Sequence, residues 1–148
     1  MFRVLGFLMI LSFMGCATTY QPRGFSGGYT ETQLNKDLFE VSFSGNGFTS
    51  NSTVSDMFLR RCAEITKENG YSHFVLVNQD SGSTTQTVSS QQSGTISPNY
   101  YGGYNYTANT SNFNVTKSYR DGTIKLFKEE NKPETAISAD IILKNYLR

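Results

Sequence analysis

Phe39, Val41 and Phe43 alternate with Glu40 and Ser42, the period of a strand with one buried face. Ser44-Gly45-Asn46-Gly47 closes that strand with turn formers. The period then lengthens. Val54, Met57, Phe58, Cys62 and Ile65 recur at helical spacing, while Arg60, Glu64, Lys67 and Glu68 fall largely on the other side. Thr53, followed by Asp56, is placed as an N-cap, and Asn69-Gly70 supplies a left-handed stop. His73-Phe74-Val75-Leu76-Val77 is nearly continuous in apolar residues, as in a strand from the middle of a sheet. A third strand is predicted over 123–128, Pro133 breaks the chain, and Ser138 can cap a closing helix over 139–147.

These elements predict a small α+β fold, a mixed sheet in the order β-α-β-β-α with helices packed against it. The strand–helix–strand unit predicts a right-handed crossover that sets the first two strands parallel. Between the second and third strands, 81–116 holds no Asp, Glu, Lys or Arg and is almost wholly Ser, Thr, Gln, Asn, Gly and Tyr. Its apolar content does not offset the entropy of ordering it as core. Thr85, Thr87 and Ser89 alternate on one arm, and Phe113, Val115 and Lys117 on the other. The expectation is a long polar hairpin with a floppy tip around 98–106, or plain disorder, with order fading toward the tip.

The pattern upstream is of a different kind. Arg3, the apolar run from Val4 to Met14 and Gly15 directly before Cys16 have the layout of a bacterial lipoprotein signal, 1–15, with acylation at Cys16. The apolar run is about half of the roughly 20 residues that a membrane-spanning helix needs. Phe13 and Met14 depart from the usual residues of such a signal, which keeps a simply secreted chain and an uncleaved anchor as alternatives. Residues 16–36, rich in Thr, Gly, Gln and Tyr, read as a tether with little regular structure, onto which Phe25 and Tyr29 could dock. One α+β domain, 37–148, is expected to follow.

Charge changes the picture by exclusion. The formal net charge is +1, and Arg3 leaves with the signal, so no basic field exists to attract nucleic acid. Lipidation of Cys16 would leave Cys62 without an internal partner, so the fold is not a disulfide scaffold. No cofactor is expected. Cys62 and His73, the single histidine, suggest a thiol and its base, but Cys62 shares the apolar stripe with Phe58 and Ile65 and reads as core. A metal site needs convergent ligands, and the twelve acids are scattered. Arg60-Arg61 reads as a solvated face, with Arg60 and Glu64 at i,i+4, against the alternative of a lipid or acidic partner contact. Tyr100, Tyr101, Tyr104 and Tyr106 are the best candidate partner-binding residues, because tyrosine offers a large contact area with a polar tip. The competing reading is a Gly/Tyr tip without a partner.

Cys16-Ala17-Thr18-Thr19-Tyr20-Gln21-Pro22, Gly27-Gly28-Tyr29 with Glu31 and Leu34, and the run from Val41 to Thr49 carry a resemblance, continued by Leu59 to Thr66 and Gly70-Tyr71. Together they resemble a group of uncharacterised proteobacterial lipoproteins of unknown function. The resemblance covers 16–80 and, loosely, 124–133. It departs at Cys62, where Ala would be expected, and 81–116 is where such proteins vary most. It implies lipidation and no enzyme activity. The helix-Gly-strand pattern is more faintly similar to small envelope lipoproteins that sense stress, at the level of fold only.

The expected function is that of a non-enzymatic envelope lipoprotein of a Gram-negative bacterium, held in the membrane by acyl chains on Cys16. Ala17 and Thr18 include no aspartate, which by resemblance to the sorting of enteric lipoproteins implies the outer membrane rather than the inner. Its partner would be an envelope protein or a cell-wall polymer. The alternatives are a sensor or assembly accessory of an envelope complex, and a cell-wall hydrolase.

Overall fold

A computed structural model describes residues 18–98, 101 and 104–146, without the side chains of 91–93, 95, 96 and 105–109. The strands are β1 (Gly28–Asn35), β2 (Leu38–Ser44), β3 (His73–Pro98), β4 (Tyr104–Phe127) and β5 (Ile137–Ser138). The helices are α1 (Asn51–Glu68) and α2 (Ala139–Lys144), with a 3-10 turn at Glu129–Asn131. The sheet has five strands in the order β1-β2-β4-β3-β5, and every neighbouring pair is antiparallel. The class is α+β.

The sheet is therefore not mixed, and the expected parallel pair does not form. β2 and β3 run in the same direction, but β4 lies between them and pairs with both. The reason is local: β4 returns along β3 as an antiparallel partner, and its far half occupies the slot beside β2 that a direct crossover would have filled. β4, not β3, is the central strand. β3 bulges between Leu76 and Asn78, and Val77 stands exposed there. The expected order also lacked two strands. Residues 28–35, read as part of an irregular tether, form β1 and pair with the whole of β2.

Where local period was strong, the elements stand as read. Phe39, Val41 and Phe43 are buried on the inner face of β2, with Phe74, Ile124 and Leu126 beside them. From α1, Val54, Phe58, Cys62, Ala63 and Ile65 complete the core. Gly122 on β4 lets the helix sit close: a Cβ there would lie 2.9 Å from Phe58 Cζ and 3.0 Å from the Asn78 carbonyl oxygen. Gly70 ends α1 at φ 77°, in the left-handed region that favours glycine. The N-cap, however, is Ser50 rather than Thr53, and its hydroxyl accepts the Thr53 N–H at 3.2 Å. Ser138 stands at the N-cap of α2 without a side-chain cap bond, and that helix ends at Lys144.

Past the pair Ser44 and Tyr119 the Gly45 N–H still donates to the Ser118 carbonyl at 2.8 Å, but beyond it β4 pairs with no strand on its β2 side among the described residues, while its pairing with β3 continues to Pro98 and Tyr104. The fifteen residues 104–118 reach about 45 Å at strand rise. This two-stranded ribbon leaves the end of the sheet where β2 finishes and β1 begins.

Candidate functional site

The segment before β1 is built into the domain. Thr18 is buried and sits at the centre of a polar knot: its N–H donates to Thr49 Oγ1 at 3.1 Å, and its Oγ1 donates to the Ser26 carbonyl at 3.0 Å. The same Oγ1 accepts the Asn46 N–H at 2.7 Å. Thr18 thus joins the turn 22–27 to the loop 45–50. Gly27, at φ 99°, passes so close that a Cβ would lie 2.3 Å from the Ser44 carbonyl oxygen. Phe25 and Phe48, one on each tied segment, are both exposed.

Tyr20 carries the docking onto α1. Its ring stacks on Phe43 with centroids 6.4 Å apart, and lies 5.2 Å from the Tyr29 ring. Its hydroxyl donates to Glu64 Oε2. Burial, reinforced by that carboxylate, pushes the Tyr20 phenol above its ordinary range. The Arg60 guanidinium covers the Tyr20 ring at 4.0 Å and donates to Glu64 at 2.9 Å.

Arg61 is not on a solvated face, as expected from the sequence, but buried. It donates to both oxygens of Glu31 and of Glu68 and to Glu64 at 3.0 Å, and lies 4.7 Å over the Tyr29 ring. The planar guanidinium meets carboxylates in bidentate fashion, which lysine cannot do. Burial works against the Arg61 charge, but the bonds to Glu31, Glu68 and Glu64 outweigh it and raise its pKa. For Glu64, burial raises and the bonds from Tyr20, Arg60 and Arg61 lower, and the net shift is downward. Tyr29 docks as its sequence allowed. Phe25 does not.

On the ribbon, residues directly opposite share a face. One face carries Thr85 opposite Thr116, their hydroxyls 3.0 Å apart, and Thr87 opposite Asn114, joined at 2.8 Å. The other carries Gln86 opposite Val115 and Val88 opposite Phe113, with Val88 and Phe113 exposed. The two alternating sets seen in the sequence thus lie on opposite faces. Toward the tip, Tyr101 and Tyr104 are exposed at 93% and 75%, Tyr104 opposite Pro98. The Tyr106 backbone pairs with Ile96. Tyr100, the Tyr106 side chain and Cys16 lie outside the described residues.

At the ribbon's base, the sheet face away from α1 holds a cleft of about 410 Å³ lined by Arg23, Ser42, Ser44, Thr84, Lys117 and Asp121, among others. Cys62 is fully buried in the core, and burial pushes its thiol well up, away from the thiolate a nucleophile needs. His73 is buried at the start of β3, with Nδ1 2.8 Å from Ser72 Oγ and 3.3 Å from Glu129. Among the described residues, no three His, Cys, Asp or Glu side chains converge as metal ligands, and no helix is long and apolar enough to cross a membrane.

The Arg61 cluster and the Thr18 knot were missed from sequence. Thr30 and Thr32 in a run ending at Asn35 were the available strand signal, weak because β1 contributes little to the core. No protein-family model, curated protein or solved structure matches this chain.

Proposed function

We propose that this chain is a lipid-anchored envelope protein with a non-enzymatic binding or structural role at the outer membrane of a Gram-negative cell. Acyl chains on Cys16 hold it, and the ribbon, without charged residues through 81–116, is its contact surface for an envelope protein or a cell-wall polymer. The observation that carries the reading is the ribbon itself. Two paired strands without a covering layer are marginal in water and gain from a partner. Past the sheet its outer edges are unpaired among the described residues, and no charged side chain of the kind that blunts free edges occurs in 81–116. Tyr101 and Tyr104 add exposed aromatic area at the far end.

Two measurements test it. Mass spectrometry of membrane-fractionated protein should show an acylated Cys16 at the mature N-terminus, and Cys16→Ala should lose the acyl mass. A photo-crosslinking residue at Tyr104 should yield one dominant adduct in cells, with a membrane protein or with purified wall sacculi, that disappears when the crosslinker is moved to exposed Leu34. Equal adduct patterns from both positions would remove the ribbon from the binding role. An unmodified Cys16 would remove the anchor.

A further inference from the structure

We infer that the end of the domain bearing Thr18, together with the Val88 and Phe113 face of the ribbon, lies against the bilayer surface. The inference rests on the proposed anchoring at Cys16. Two peptide units separate Cys16 from Thr18, so an acylated Cys16 holds the Thr18 Cα within about 8 Å of the lipid attachment point. Thr18 itself is buried and bonded on both sides, to Ser26 and to Asn46 and Thr49. No slack tether intervenes. The surface around Thr18 must therefore face the lipid.

That surface has the chemistry for it. Phe25 is fully exposed and Phe48 is 78% exposed, on the two segments that Thr18 ties together. The strip continues onto the ribbon: a Cβ at Gly47 would meet Val115 Cγ1 at 2.8 Å, and Val115 shares its face with the exposed Val88 and Phe113. Near it, Arg23 and Lys117 line the cleft at the ribbon's base, two cations against the single acid Asp121, and neither forms an ion pair among the described residues. Aromatic rings at the headgroup boundary beside cations suit an anionic phospholipid surface. The opposite end of the sheet differs, carrying the Lys125–Asp37 and Lys132–Glu129 pairs.

The ribbon lies on the bilayer rather than through it. A spanning hairpin needs a continuous apolar outer face, and Ser90 opposite Ser111 interrupts this one. Its Thr85 and Thr87 face and its tip then point along or away from the membrane, where the partner of the proposed reading can reach them.

The chain holds no tryptophan, so one introduced indole reports a single position. Residues 16–148, which contain every described residue, can be coupled through Cys16 to a thiol-reactive lipid, because Cys62 is buried. The coupled protein is placed on phosphatidylethanolamine–phosphatidylglycerol vesicles with and without brominated chains. Phe48→Trp and Phe113→Trp should lose emission about twofold or more to the bromines, as for rings seated at the acyl boundary, while Leu34→Trp should not. Equal response at all three positions, or none at Phe48→Trp and Phe113→Trp, overturns the inference. Mass spectrometry of the cellular protein reads the anchor separately, since the chemical coupling fixes the lipid whether or not the cell attaches one.

Discussion

Tyr20 donates its hydroxyl to Glu64 across 44 residues of chain, and that contact makes the N-terminal segment part of the domain. Glu64 also receives Arg60 and Arg61, so one carboxylate joins the segment before β1 to two consecutive arginines of α1. The consequence is mechanical. A force applied at Thr18 or Tyr20 is carried directly into α1 and the sheet.

Tyr20→Phe keeps the ring on Phe43 and under Arg60 but removes the hydroxyl. A loss of about 1 kcal/mol is expected, as for one hydrogen bond. Arg61→Met should cost more, about 2–3 kcal/mol, because Glu31, Glu64 and Glu68 are left without their shared cation. Arg61→Lys should recover only part of this, since an ammonium cannot face Glu31 and Glu68 bidentately. Urea midpoints of the three variants check the order. Equal midpoints for Arg61→Met and wild type would show the cluster to be idle.

Glu64 has a folded pKa below its ordinary value of 4.5. Its protons therefore bind more tightly to the unfolded chain, and its contribution is full above the unfolded pKa and lost as pH falls through the folded one. Thermal stability should drop below about pH 4.5, in the range where carboxylates of unfolded chains take up protons. Glu64→Gln should be less stable at pH 7 and show a shallower acid limb. Melting curves taken from pH 7 down to 3 read both effects.

Gly122→Val should destabilise by about 1–3 kcal/mol, the usual range for overpacking. Its Cβ would press on Phe58 Cζ at 2.9 Å and on the Asn78 carbonyl at 3.0 Å, and the second contact is backbone that cannot swing aside. Pairing it with Phe58→Leu tests the cause: the double variant should recover part of the loss if Phe58 is the obstacle, and none if the Asn78 carbonyl dominates.

Deleting 82–112 should leave the melting temperature within a few degrees of wild type, because among the described residues no core side chain lies in that span and a shorter loop costs less closure entropy. Circular dichroism melts measure it. A large drop would mean that the ribbon supports the sheet.

Cys62 should resist iodoacetamide in the folded protein and react on unfolding, since its thiol is fully buried and its pKa is pushed up by burial. Alkylation with Cys16 blocked, followed across a urea series, should track the unfolding curve. Rapid labelling in native buffer would place a reactive thiolate where the core now stands.

The sequence by itself determined β2, α1 and the inner half of β4, because each carries its own period and buries a stripe that local spacing reveals: Phe39, Val41 and Phe43, then Val54, Phe58, Cys62 and Ile65, then Ile124 and Leu126. It determined Gly70 as a stop for the same local reason. It also marked the uncharged span and the candidate tyrosines, but not the faces of the ribbon, since a shift of one residue in register exchanges them. Only the tertiary structure decided that 28–35 is a strand, that β4 stands between β2 and β3, and that Arg61 is buried. Those outcomes depend on partners far away in the chain: Glu31 is 30 residues from Arg61, and Tyr20 is 44 from Glu64. A charged residue looks solvated until the acids that surround it are brought in from another element, and no periodicity along α1 records where they come from.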